Sequence, residues 1–517
     1  MLNQLSQIIT RQICKYNLIY GELYILISPN QWDCVYLWRI ITKVIMATII
    51  GRKQEQSELK RSFESPTSEF VSLYGRRRVG KTFLVRQYFE NKFAFTLTGL
   101  ANANMKSQLQ NFQFSMRDAG DTNAIVPANW LEAFQQLKAY LEKPTDTKKV
   151  IFLDELPWID TPKSNFLSAL EHFWNSWAAH RTDVLLIVCG SSTSWMIDKL
   201  INNKGGLYNR ITVRMKIQPF TLLECKLYLQ ELGIVWENYS IAECYMIMGG
   251  IPYYWSLLKK GTSLAQNIDR LFFATSGTLN DEFTNLYAAL FNSSDKYIEL
   301  VKVMSAKNKG ITRSELLQSL NEKSGGGISK MLDDLENSGF IRSYLPFDKK
   351  SKDKIFQLVD FYTLFYFKFA NVIKTGSDNF WSAAIDSPIH RTWSGYAFEQ
   401  LCLAHLQQLK FSLGISGVRT NAFSWLSKNA ENRTQIDLLI DRNDAVINLC
   451  EMKFSINEFS IDKKYAETLR NRIGIFRAET KTKKSVFLTM ITTYGVAKNE
   501  YSELIQSELK LDDLFVI

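Results

Sequence analysis

Histidine is scarce in this chain, with four in 517 residues, and none stands at zinc-ligand spacing from a cysteine. The seven cysteines (Cys14, Cys34, Cys189, Cys225, Cys244, Cys402, Cys450) are scattered and form no CxxC pair. That disfavours a structural zinc site. The mostly apolar neighbours of these cysteines suit reduced core thiols of a cytoplasmic protein. No apolar run reaches the roughly 18 uninterrupted residues that a membrane span needs, so no membrane partner is expected. The charged start, single apolar block and small-residue cleavage site of a signal peptide are also missing. Neither sign of charge dominates: 62 Lys and Arg against 52 Asp and Glu leave +10. An excess this small for the length permits a nucleic-acid partner without requiring one.

Aromatic residues, by contrast, are plentiful at 13% (33 Phe, 22 Tyr, 12 Trp), which argues against long disordered regions. A chain this long exceeds one core, so several domains are expected. Residues 1–45 stand apart. Their apolar patches (Leu18 to Ile27, Cys34 to Ile50) are interrupted by Glu22, Asp33, Arg39 and Lys43. The expectation is that translation starts at Met46 and that the upstream part is extraneous; a short hydrophobic or membrane-contacting extension is the alternative.

From Ile49 onward strands alternate with helices. Phe70 to Tyr74, Phe93 to Thr98, Val150 to Leu153, Val184 to Val188 and Ile211 to Ile217 read as buried strands. Thr82 to Phe89 and Trp130 to Leu141 read as helices. This pattern predicts an α/β fold with a parallel sheet covered on both faces. After Pro219 the strand signals fade, and Leu222 to Leu286 reads as helices broken at Gly249-Gly250-Ile251-Pro252. Tyr297 to Phe340 has the spacing of a winged helix-turn-helix, with Gly339 as a helix stop. Asp348 to Lys354 would be its wing, where Lys349, Lys350, Lys352 and Lys354 are candidates for contact with duplex DNA. Phe361 to Phe369 reads as a buried aromatic helix. The expected organisation is therefore an α/β core over 46–218, a helical lid over 219–292, a winged helix over 293–355, a helical connector over 356–392 and a second α/β domain over 393–517.

Gly75-Arg76-Arg77-Arg78-Val79-Gly80-Lys81-Thr82 fits GxxxxGK[ST], with an apolar strand before it and a helix after it. In such a loop glycines let backbone N–H groups turn inward around phosphates. The following helix points its positive end at the β-phosphate. Lys81 would bridge β- and γ-oxygens, and Thr82 would coordinate Mg²⁺. Downstream, Val150-Ile-Phe-Leu-Asp154-Glu155 offers Asp154 for the Mg²⁺ shell and Glu155 as general base toward water. Ser191, ending the fourth strand, is either a sensor of the γ-phosphate or a strand-terminating turn. Arg210, before the fifth strand, is either a stabiliser of transferring phosphoryl charge or a surface residue. ATP and Mg²⁺ are the cofactors this set implies.

These segments, with Ile49-Ile-Gly51-Arg52, CGSS, GLYNR, IQPF and Gly249-Gly250-Ile251-Pro252, resemble the archaeal-type ATPase family of the STAND branch within the AAA+ superfamily, over residues 46 to about 290. The resemblance implies that Pro252 packs on the adenine and that Gly51-Arg52 lies near the base. Relatives commonly carry Gly where this chain has Asn209. The leading reading is an ATP-driven switch or remodeller with DNA as its expected target, self-associating if Arg210 acts across a subunit boundary. A slowly turning signalling switch with protein partners is the rival.

A second chemistry lies at the C-terminus. Alternation along Ile447-Asn-Leu-Cys-Glu451-Met-Lys453 puts Glu451 and Lys453 on one strand face. Asp437, on the preceding strand, and Glu451 are candidates for a divalent metal site. Lys453 would orient or deprotonate a water for attack on a phosphodiester. The same fold without activity, or a charged hairpin, are the alternatives. The segment resembles the PD-(D/E)XK nuclease superfamily, which implies Asp437 and Glu451 as metal ligands, Lys453 as the catalytic lysine and Glu399 as a supporting carboxylate. An ATP-regulated, metal-dependent nuclease of a mobile-element or defence system is the corresponding function.

Overall fold

The computed structural model describes residues 48–142, 147–203, 205–291, 293–322, 326–347, 354–373, 378–427 and 434–516. The upstream segment and the wing residues Lys349, Lys350 and Lys352 lie outside them. No helix among the described residues is long and apolar enough to cross a membrane.

A helix, α1 (Lys53–Glu64), precedes β1 (Glu69–Tyr74), and α2 (Lys81–Tyr88) follows it. Then come β2 (Phe95–Thr98), α3 (Met105–Asp118), α4 (Trp130–Leu141), β3 (Lys149–Asp154), α5 (Phe166–Ser176), β4 (Val184–Gly190) and β5 (Val213–Lys216). The five strands form one parallel sheet in the order β2-β3-β4-β1-β5. Every residue of β3 and β4 is buried, as near-continuous apolar runs between two helical layers require. One layer is aromatic: Trp130, Phe134, Phe166 and Phe173 of α4 and α5 pack against Phe70, Ile151 and Leu186. The strand read as Phe93 to Thr98 begins at Phe95, because Phe93 turns its ring to stack on Phe152 at 5.5 Å. Helices α3 and α5 were not read from the sequence.

Beyond β5 the chain is helical, with α6 (Leu222–Glu231), α7 (Asn238–Met248), a short turn at Pro252–Trp255 and α8 (Glu282–Leu290). At Gly250 a Cβ would come within 2.0 Å of the Phe220 carbonyl oxygen. Only glycine lets the lid backbone approach the end of the sheet this closely, and Phe220 N–H donates to Gly250 O at 2.6 Å. Three helices follow, α9 (Ser294–Ser305), α10 (Arg313–Ser319) and α11 (Gly326–Asn337), with a three-stranded antiparallel sheet of β6 (Ile311–Thr312), β8 (Ile355–Leu358) and β7 (Ile341–Tyr344). A buried aromatic helix, α12 (Phe361–Phe365), leads on.

The C-terminal part has α13 (Pro388–Ala404), α14 (Leu406–Ser412), β9 (Thr420–Leu426), β10 (Gln435–Arg442), β11 (Val446–Lys453), α15 (Lys463–Thr480), β12 (Ser485–Thr492) and β13 (Ser507–Lys510). The single helix read as Ala397 to Leu409 is two, split at His405. That imidazole is buried, bonds Leu401 O through Nδ1 at 2.9 Å and accepts the Leu222 N–H of α6 through Nε2 at 3.0 Å. The sheet order is β13-β12-β11-β10-β9, antiparallel from β9 to β11 and parallel from β11 to β13.

Candidate functional site

Sheet register builds the site. Because β1 and β3 flank β4, with Tyr74 beside Gly190 and Leu153 beside Val188, the carboxyl ends of three strands deliver Gly75, Asp154 and Ser191 to one edge. Gly75 adopts φ +142°, where an added Cβ would meet Ile217 O at 2.4 Å. The loop ends at Gly80 in a left-handed conformation that opens α2. Lys81 is buried, and its Nζ donates to Gly75 O at 2.9 Å and Arg76 O at 3.0 Å. Thr82 Oγ1 donates to Asp154 Oδ2 at 2.9 Å. Two positions 72 residues apart in sequence thus meet as a hydroxyl and a carboxylate, the oxygen donors that a hard divalent cation prefers.

Glu155 sits at φ +52°, a left-handed conformation that costs a branched-free side chain about 1 kcal/mol. Its carboxylate accepts from both Ser191 N–H (3.0 Å) and Ser191 Oγ (2.8 Å). Ser191 is therefore tied to Glu155 at the end of β3.

The three arginines of the loop differ. Arg76 is buried and pairs with Asp360 through both guanidinium nitrogens, one contact at 3.1 Å, while its Cζ lies 4.6 Å over Phe340. Asp360 also caps α12 by accepting from Thr363 N–H and Oγ1. Arg78 (φ +69°) pairs with the buried Glu282 of α8 and stacks 4.1 Å over Tyr253. Arg77 is half-buried. Val79 is buried, and its carbonyl accepts from Arg52 Nη2 at 3.1 Å. Arg52 is itself held by Glu224, the third residue of α6, and stacks 4.8 Å over Phe220. Pro252 opens the lid turn whose next residue is Tyr253.

The structure thus brings Gly75, Arg76, Arg78, Val79, Gly80, Lys81, Thr82, Asp154, Glu155 and Ser191 together, with Pro252 one residue from the ring that covers Arg78. Arg210 stands elsewhere: it is exposed in the turn before β5, at the amino end of that strand, a strand's length from the phosphate loop. Sequence reasoning missed Tyr253, Glu282, Phe340 and Asp360. Asp360 carried a local signal, an Asp with Thr three residues on, but that reports a helix cap and not a partner 284 positions away.

In the C-terminal sheet, the register that pairs Leu438 with Cys450 places Asp437 opposite Glu451 one residue further on. Glu451 accepts from Tyr465 Oη (2.7 Å), pairs with Lys453 (3.0 Å) and contacts Arg472. Burial alone would raise its carboxyl, but Lys453 and Arg472 hold it below the usual range. Asp437 accepts from Lys309 Nζ (2.6 Å) and Gln435 Nε2 (3.0 Å). Glu399 lies 3.8 Å from the same ammonium, and burial beside Asp437 pushes its carboxyl up to about 7. Among the described residues, no group of three or more His, Cys, Asp or Glu side chains converges to hold a metal ion. The carboxylates present are matched by lysine and arginine, so this arrangement does not fit a metal ion.

The five described cysteines are buried and free.

Comparison with known proteins bears on the first site. Residues 50–258 match the family model described as an ATPase domain predominantly from Archaea. An uncharacterized protein of Methanocaldococcus jannaschii is 25% identical over 366 residues, covering 70% of this chain and 77% of that one. An uncharacterized ATP-binding protein of the same organism is 44% identical over 43 residues, 8% of this chain and 73% of that protein. Among solved structures, a Walker-type ATPase of Pyrococcus abyssi shares 16% identity at a TM-score of 0.45, covering 62% of this chain and 96% of that one. Residues 50–258 of this chain are thus similar to an archaeal-type ATPase domain.

Proposed function

We propose that the chain binds ATP with Mg²⁺ at the phosphate loop, hydrolyses it, and uses the cycle to move its lid and the module over 293–355 relative to the sheet. The observation that carries this reading is the meeting of Thr82 and Asp154 at 2.9 Å beside a buried Lys81. Thr82 and Asp154 would hold Mg²⁺, which would supply positive charge against the phosphate oxygens. Lys81 now spends its donors on two loop carbonyls; a triphosphate supplies better, charged acceptors. Glu155 is tethered to Ser191, and polarising a water requires its carboxylate to turn from those donors toward the γ-phosphate. Water accepts the phosphoryl group, so the reaction is hydrolysis.

The switch reading rests on Arg76 and Arg78. Both leave the loop that wraps the phosphates, and each is paired with an acid outside the sheet, Asp360 after β8 and Glu282 of α8. A shift of the loop on nucleotide binding is felt at once by both elements. Arg210, exposed at the amino end of β5, reaches a phosphate only from a neighbouring copy, which is the form in which self-association enters.

DNA is the proposed target. We read α9–α11 with β6–β8 as a winged helix and the C-terminal sheet as PD-(D/E)XK-like; Asp437, Glu451 and Lys453 stand at adjacent strand ends as that fold uses them. Residues 463–484 carry eight Lys and Arg against two Glu, and Lys463, Lys464, Arg470, Arg477, Lys481 and Lys483 are exposed, a stripe suited to a phosphate backbone. The carboxylates of the C-terminal sheet are paired to lysine and arginine. Hydrolysis measured with and without duplex DNA tests the assignment. Stimulation by DNA supports it, and an unaltered rate favours the signalling switch with protein partners.

A further inference from the structure

The loop joining α9 to β6 reaches out of its own module and into the acidic end of the C-terminal sheet. Its backbone is gripped from both sides. Asn308 O accepts from Gln357 Nε2 (2.6 Å) and Tyr396 Oη (3.1 Å), and Lys309 O accepts from Tyr344 Oη (2.8 Å). Held there, Lys309 Nζ lies 2.6 Å from Asp437 Oδ1 and 3.8 Å from Glu399 Oε2. Tyr396 and Glu399 are one helical turn apart on α13, so the helix that grips the loop also receives its ammonium. The contact is part of a wider dock: Phe347 N–H donates to Ser424 O of β9 at 3.0 Å, and its ring packs on Phe423 and Phe476.

Space does not exclude a metal ion from this place. Lys309, Glu399 and Asp437 border a cavity of about 170 Å³ whose lining includes Arg342, Gln400 and Gln435. Gln400 is buried, and its Oε1 has no hydrogen-bond partner. What stands at the carboxylates is a charge. A divalent ion bonded to Asp437 Oδ1 at the roughly 2.0–2.6 Å of a metal–oxygen bond would lie within about 5 Å of the ammonium, where like charges repel.

We propose that Lys309 is an internal counter-cation occupying the place of a divalent metal ion at Asp437 and Glu399, so that docking of the winged helix and metal binding by the C-terminal domain exclude one another. This rests on the PD-(D/E)XK-like reading above and adds its regulation. A lysine on a loop fixed by hydrogen bonds to the Asn308 and Lys309 carbonyls competes as an intramolecular ligand, so the site stays closed at metal concentrations that would fill an open one. The module that the ATPase is proposed to move is the one that carries the plug.

The test is a Mn²⁺ titration of the nucleotide-free full chain, following free Mn²⁺ by electron paramagnetic resonance. Lys309→Met, which keeps the stem and removes the charge, is expected to gain at least tenfold in affinity at one site, and Lys309→Arg to behave as wild type. The gain must vanish in Lys309→Met/Asp437→Asn. Equal affinities in wild type and Lys309→Met, or a gain that survives Asp437→Asn, would overturn the proposal. Should Lys309→Met not fold, hydrogen exchange of wild-type residues 307–310 replaces it: faster exchange with Mn²⁺ supports the plug, unchanged exchange overturns it. Cleavage assays separate this from the nuclease reading. Lys453-dependent DNA cleavage equal in wild type and Lys309→Met sinks the plug and leaves the nuclease, whereas gained Mn²⁺ binding without cleavage does the reverse.

Discussion

At the scale of single residues the most consequential pair is Arg76 and Asp360. Both are buried, and removing either partner leaves an uncompensated charge away from bulk solvent. Arg76→Ala or Asp360→Ala is expected to cost about 3–5 kcal/mol in chemical denaturation, and the double substitution much less than the sum. Additive losses would show that the two groups do not depend on one another. The Gly75–Thr82 loop was legible in sequence because its pattern is local: Gly75, Gly80, Lys81 and Thr82 stand within eight positions. Asp154 and Glu155 were legible because they end an apolar strand. The partners of Arg76 and Arg78 were not legible, since nothing in a run of three arginines says that one stacks on Phe340 and another on Tyr253. Nor did the spacing reveal that Ser191 would bind Glu155 through both its amide and its hydroxyl.

At the scale of elements, the apolar strands were readable, whereas helices α3 and α5 and the junctions were not. The α13–α14 break is one such junction. His405 ends α13 because its neutral ring accepts the first backbone N–H of α6. Burial lowers its imidazole from 6.5 to about 4. The folded value is the depressed one, so the stabilisation is complete above pH 6.5 and is lost as pH falls through 4. Wild type is expected to lose about 2 kcal/mol more than His405→Gln between pH 8 and pH 5, from denaturation midpoints. Identical pH profiles would mean the ring is not held neutral. The lid junction gives a second test. A methyl at Gly250 has the Phe220 carbonyl in its way, so Gly250→Ala is expected to lower stability by about 1–3 kcal/mol and to weaken nucleotide binding with it. An unchanged melting temperature would contradict the close approach.

For the whole molecule, three sheets are linked by arginine and lysine contacts that run from the Gly75–Thr82 loop to α8, to the α9–α11 segment with its small sheet, and on to the acidic end of the C-terminal sheet. The succession of strands and helices was in large part readable along the chain. Their docking was not, because Lys309 meets Asp437 across 128 positions and no periodicity encodes that meeting. If the modules work as one device, duplex DNA raises the ATPase rate of wild type severalfold and does so less when Lys463, Lys464 and Arg470 are all changed to Ala. Equal stimulation of the two proteins would move the DNA contact elsewhere.

The most direct measurement is Mg²⁺-dependent ATP hydrolysis by wild type, Lys81→Ala and Glu155→Gln, with nucleotide binding measured on each. The account predicts that Lys81→Ala loses binding. It predicts that Glu155→Gln keeps binding while its turnover falls by about 10²-fold or more, as loss of a general base requires. Wild-type turnover in Glu155→Gln, or full nucleotide affinity in Lys81→Ala, would contradict it.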